Sequence, residues 1–187
     1  MKIYKTLLLA LIATTTIMAA CKKENTQQNE LAKLPTVTQT GANTFGCLVN
    51  GKAWVAQNQD CAFICDPSFK MYYDGAGGGN LTLEGFIKNT RQGIDQVLII
   101  SFDSTNFKSI HVYEKPLDMA LTFRDYKRSD SCSYITSNDS ATISRGTIIL
   151  SRYDLAKGII SGTFEFTLSK PGCETIIVTN GRFDKQL

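Results

Sequence analysis

The chain has 187 residues, 43% of them hydrophobic, with 20 lysines and arginines against 17 aspartates and glutamates. A formal charge of +3 offers no basic excess of the kind that binds nucleic acid or an acidic lipid surface. The single histidine, His111, excludes a His-based catalytic triad or a multi-histidine zinc site within one chain.

The first 20 residues read as an export signal. Lys2 and Lys5 give a positive start, Leu7 to Ala13 an apolar stretch, and Ala19 and Ala20 small side chains before Cys21. The stretch falls short of the ~20 apolar residues that a spanning helix needs. Cleavage before Cys21 predicts a lipoprotein whose anchor is a lipid on that sulfur, and losing Lys2 and Lys5 takes the charge from +3 to about +1. Lys22 stands where an aspartate would favour inner-membrane retention, so an outer-membrane location, periplasmic or surface-exposed, is expected. Residues 21–43 are polar, with few large apolar side chains, and read as the lipidated cysteine followed by a flexible tether.

From residue 44 to 187 the chain is a series of short β-rich runs, expected to form one domain. The runs are Phe45–Val49, Ala53–Gln57, Phe69–Tyr73, Leu81–Lys88, Gln96–Asp103, Ser109–Glu114, Met119–Tyr126, Ser133–Thr136, Thr142–Tyr153, Ile159–Leu168 and Thr175–Phe183. Asn50-Gly51 between the first two is a hairpin signal, and Asn180-Gly181 reads as a second turn. In Leu81-Thr82-Leu83-Glu84 and Phe164-Glu165-Phe166-Thr167-Leu168, apolar and polar residues alternate with period 2, the mark of half-buried antiparallel strands. Trp54, Phe164, Phe166 and Phe183 are the expected core. Arg182 and Asp184 flank Phe183 and are expected to form an exposed ion pair on the opposite face. No segment beyond residue 43 sustains a helical period, so the prediction is an all-β fold: a single antiparallel β-sandwich or a flattened β-barrel.

With Cys21 lipidated, Cys47, Cys61, Cys65, Cys132 and Cys173 remain. An oxidising compartment predicts at least one disulfide among them, and an odd number leaves at least one thiol outside the intrachain bridges. The spacing does not settle the connectivity.

The opening run Thr44-Phe45-Gly46-Cys47-Leu48-Val49-Asn50-Gly51-Lys52-Ala53-Trp54 resembles that of a family of small Gram-negative lipoproteins of unknown function. So do Ser161-Gly162-Thr163-Phe164-Glu165-Phe166, Cys173, Thr179-Asn180-Gly181-Arg182-Phe183-Asp184 and the Cys132-Ser133-Tyr134 stretch. The resemblance spans about residue 40 to the end. It implies a β-rich domain behind a lipid anchor and carries no activity onto any residue. Cys61 and Cys65 are additions to the family's pattern.

Signals for chemistry are sparse. Cys61-Ala62-Phe63-Ile64-Cys65 lacks the further ligands a zinc site requires, and no sequence feature marks a base for a nucleophilic cysteine. His111 lies in a strand-like run and is expected to face solvent. Gly75 to Gly79 resembles a phosphate loop only in composition, and Asp74 and Asn80 beside it match no calcium loop. Asp66, Asp74, Glu84, Asp95, Asp103 and Glu165 supply carboxylates for a hydrolase, but nothing in the sequence selects two of them. Asp103-Ser104-Thr105 and Asp139-Ser140-Ala141 fit a short bacterial O-glycosylation pattern. No cofactor or metal is expected.

The resulting expectation is a non-catalytic binding or accessory module of the cell envelope, tied to the membrane through its lipid. Its partner would be a glycan, an envelope protein or a small apolar ligand. Tyr72 and Tyr73, beside the glycine loop, are the candidate contacts. The alternatives are a structural subunit of an envelope complex and a carboxylate-dependent hydrolase.

Overall fold

The computed structural model describes residues 26–61, 65–74, 80–103, 112–113, 119–128, 130–137, 139–140 and 142–187. The expected signal peptide, Cys21, Gly75 to Gly79, Ser104, Thr105, His111 and Ala141 lie outside these residues.

The described chain is built of strands. β1 (Thr44–Val49) and β2 (Lys52–Val55) form a hairpin on Asn50 and Gly51. Both turn residues have positive φ, 49° and 76°, as the two-residue turn that matches strand twist requires. Then follow β3 (Gln57–Asn58), β4 (Phe69–Asp74), β5 (Asn80–Asn89), β6 (Ile94–Asp103), β7 (Val112–Tyr113), β8 (Met119–Asp125) and β9 (Tyr134–Ile135). The last three are long: β10 (Ile143–Asp154), β11 (Ile159–Ser169) and β12 (Ile176–Gln186).

They make two sheets. The first has the order β2-β1-β12-β11-β10-β7, antiparallel throughout. The second runs β3-β5-β6-β8-β9, with β4 sharing the outer edge of β5. Its one parallel contact joins β3 to β5. Neither sheet closes on itself, so the fold is an open all-β sandwich and not a barrel.

Alternation decides which side chains meet between the sheets. Phe164, Phe166 and Leu168 of β11 point inward with Phe45, Cys47, Trp54 and Phe183, against Leu81, Leu83, Leu98, Ile100, Leu121 and Phe123 of the second sheet. Phe45 is the hub. Its ring lies 5.0 Å from that of Phe69 across the gap, 5.1 Å from Phe164 and 5.9 Å from Trp54. Gly85 faces this cluster from β5. A Cβ there would lie 2.6 Å from Phe45 Cδ1, so the hub ring fits only because the facing residue has no side chain.

Two expectations on β12 are corrected. Asn180-Gly181 is not a turn. β12 runs through it, and the pairing shifts register against both neighbouring strands beside it. Asn180 takes positive φ (53°) within this bulge, and Gly181 lies against the ring of Phe164. Nor does Asp184 form an exposed ion pair with Arg182: it is 1% exposed.

The expected flexible tether does not extend to residue 43. Residues 26–31 are helical, and the chain beyond them lies along the outer face of the first sheet. Glu30 accepts from the backbone N–H of Ala53 at 2.8 Å, and Arg182 donates to the Pro35 carbonyl at 3.1 Å. At the far end Asp184 receives Thr38 Oγ1 at 2.6 Å and the N–H groups of Thr40, Gly41 and Ala42 at 2.9, 2.8 and 3.1 Å. Arg152 also donates to the Gln39 carbonyl. A polar segment without a core of its own is thus ordered by hydrogen bonds that the sheet supplies. This strap runs the length of the sandwich before turning into β1.

Candidate functional site

One end of the sandwich carries the β1–β2, β5–β6, β8–β9 and β11–β12 connections. There the sheets part around a pocket of about 440 Å³. This falls within the roughly 300–1,000 Å³ usual for small-ligand pockets. Its floor is apolar: Val49, Ile87, Ile94, Phe123 and Ile176, with Trp54 forming one wall.

A continuous polar chain rims this floor. Trp54 Nε1 donates to Gln96 Oε1 at 3.0 Å, and Gln96 Nε2 donates to Asp125 Oδ2 at 2.8 Å. Gln96 and Asp125 are direct cross-strand partners on β6 and β8, which explains the second bond. Arg128, just beyond β8, lies 3.6 Å from Asp125 and 3.0 Å from Glu174. Asn50 Nδ2 closes the chain on Glu174 Oε1 at 2.9 Å. The Asn50 side chain also accepts from Ile177 N–H at 2.7 Å, so the hairpin turn is fastened to the start of β12. Hydrogen bonds from Arg128 and Asn50 hold the Glu174 carboxyl below the usual range, and Glu174 in turn raises Arg128. Both therefore remain charged at neutral pH. Lys52 stands exposed on the same rim.

A disulfide reinforces this end. Cys132, before β9 in the second sheet, is bonded to Cys173, before β12 in the first. Tyr134 beside it donates its hydroxyl to the Glu174 carbonyl. The other bridge, Cys61–Cys65, closes a short loop between β3 and β4. Cys47 remains as the free thiol, buried opposite Trp54 on the paired strand, and burial pushes its pKa up. The expected disulfide is thus present twice, with Cys47 left over.

The structure separates the two candidate tyrosines. Tyr72 is 54% exposed on the outer face of β4. Tyr73 turns inward, and its hydroxyl meets that of Tyr153 on the opposite sheet at 2.8 Å. They share no face because they are adjacent on a strand. Both lie at the end of the sandwich away from the pocket.

The carboxylates proposed for hydrolysis are dispersed as well. Glu84 and Glu165 stand on opposite outer faces of the sandwich, and Asp66 is exposed ahead of β4. Only Asp74 and Asp103 fall in one row, in register on either side of Asn80. Two further depressions, of about 410 and 490 Å³, lie open on the outer face of the first sheet around Thr147 and Glu165. Of these three, the pocket at Trp54 is the one lined by both sheets.

Of the pocket's residues, Trp54 stood out in the sequence as expected core and Asn50 as a turn residue. Gln96, Asp125, Arg128 and Glu174 come from β6, β8 and the β8–β9 and β11–β12 connections, and nothing local distinguishes them from other surface polar residues. No protein-family model matches the chain, and the searches of curated proteins and of solved structures found no match either.

Proposed function

We propose that this protein is a lipid-anchored, non-catalytic binding module of the cell envelope, and that its ligand seat is the pocket at Trp54. The observation that carries the reading is the pairing of an aliphatic floor with a chain of hydrogen-bonded and ion-paired polar groups along its rim. That combination gives a ligand both apolar contact area and a few fixed polar contacts. The export signal ending at Cys21, and Lys22 after it, support an anchor in the outer membrane. The six linked groups of the rim are engaged with one another, which suits recognition better than proton transfer.

The test uses Trp54 itself, the only tryptophan in the chain. Native protein recovered from cell envelopes is analysed by intact mass under non-denaturing conditions and titrated with envelope extracts while Trp54 emission is followed. A co-purifying or added molecule that shifts emission saturably supports the reading. Emission unmoved by every fraction, with no bound molecule, would sink it.

The accessory-subunit reading has its own support in the outer face of the first sheet, where Val37, Ile149 and Ile177 are 54%, 38% and 48% exposed. Stoichiometric recovery of envelope proteins with the lipidated chain, lost on Ile177→Lys, would favour it.

A further inference from the structure

The strap determines which end of the domain faces the anchor. It begins beside the pocket, where Glu30 holds the N–H of Ala53, a residue that also lines the pocket. It then runs away from the pocket to Asp184 and Gln186 at the far end. The chain therefore leaves the domain toward Cys21 at the pocket end.

The reach is short. Five residue steps separate Cys21 from Thr26 and span at most about 18 Å. Four helical steps from Thr26 to Glu30 add about 6 Å. β11, with 11 residues, is itself roughly 35 Å long. A lipid on Cys21 thus keeps the pocket rim near the bilayer surface, while the far end can stand more than a strand length away.

The pocket's chemistry fits that position. Ile94, Val49 and Phe123 offer an aliphatic and aromatic floor, and Lys52 and Arg128 put two cationic groups at the mouth, where Arg128 is paired with the carboxylates of Asp125 and Glu174. We propose that the pocket takes a single-chain amphiphile with a phosphate head group, drawn from the membrane to which the protein is tethered. Its acyl chain would lie on the floor, and its phosphate would sit beside Lys52 and take the place of the Glu174 carboxylate in its exposed pair with Arg128. This rests on the pocket being a ligand seat and on lipidation of Cys21.

The experiment places the lipidated full-length mature protein on vesicles of phosphatidylethanolamine and phosphatidylglycerol. These contain a minor fraction of lysophosphatidylglycerol whose acyl chain carries two bromine atoms. Bromine quenches indole fluorescence only near contact, and Trp54 is the only tryptophan. The expected result is saturable quenching by this probe and several-fold weaker quenching by a two-chain phosphatidylglycerol with the same brominated chains. Lys52→Glu, an exposed change that leaves the fold alone, should raise the probe content needed several-fold, and Ile94→Glu should abolish the effect.

Equal quenching by the two-chain lipid would mean that Trp54 merely lies near the bilayer, and would overturn the proposal. So would absence of quenching on vesicles. A Cys21→Ser protein titrated in solution with the same monomeric probe separates the two readings. If it is quenched saturably while the vesicle-bound protein is not, the ligand seat stands and the membrane source falls. If neither form responds although an envelope molecule saturates the pocket, the seat stands and the amphiphile falls.

Discussion

The indole N–H of Trp54 meets Gln96 Oε1 at 3.0 Å across the gap between the two sheets. It joins β2, an edge strand of one, to β6, an interior strand of the other. Trp54 is 3% exposed, so the bond satisfies a donor that water cannot reach.

Replacing Gln96 with leucine should therefore cost about 1–3 kcal/mol, because the indole loses its acceptor and Asp125 loses a donor. Urea denaturation followed by Trp54 emission measures it. An unchanged midpoint would mean that another acceptor takes the place of Gln96.

Asp184 should show its role through pH. Burial raises its pKa, but the donors Ser161, Thr38, Ala42 and Thr40 outweigh this and hold the carboxyl far below its ordinary value. A depressed folded pKa stabilises the protein in full above the unfolded value of about 3.9, and the contribution is lost as pH falls toward the folded pKa. Asp184→Asn should cost about 3 kcal/mol at neutral pH and flatten the acid limb of the stability profile. It should also speed proteolysis within residues 34–43, since the strap loses its clasp. A variant with wild-type acid dependence would contradict this account.

The Cys132–Cys173 bridge closes a loop of 41 residues. Chain-entropy reasoning assigns such a loop about 4 kcal/mol, against about 2 kcal/mol for the short Cys61–Cys65 loop. The double serine variant at 132 and 173 should thus lose more thermal stability than the pair at 61 and 65. Peptide mapping without reductant should find both bridges in native protein, with Cys47 resisting alkylation until the fold is opened.

Gly85→Ala should be destabilising by about 1–3 kcal/mol, although alanine favours neither an unusual backbone nor a polar contact there. The added methyl meets the Phe45 ring at 2.6 Å and Trp54 at 3.2 Å. Combining it with Phe45→Leu should recover part of the loss, a coupling that a double-mutant cycle reads directly.

Much of the fold was written locally. Alternation in runs such as Leu81–Ile87 and Phe164–Leu168 located the strands, because a strand buries every second residue whatever its partner. The Asn50-Gly51 dipeptide located the first hairpin, because that turn needs positive φ at both positions. The export signal expected to end at Cys21 is a reading of the same class, resting on a pattern carried by consecutive residues.

What only the tertiary structure decided depends on which distant segment covers each strand face. Asp184 lies on the face opposite Phe183, as its position requires. Yet that face is buried, because residues 38–42, more than 140 positions earlier, fold over it. Asn180-Gly181 has the composition of a turn and serves as a bulge, because β12 has a partner on both sides. The disulfide pairing and the rim Trp54–Gln96–Asp125–Arg128–Glu174–Asn50 arise where four connections converge at one end of the sandwich. Sequence patterns report the period of a strand, whereas a pocket depends on which strand ends the topology brings side by side.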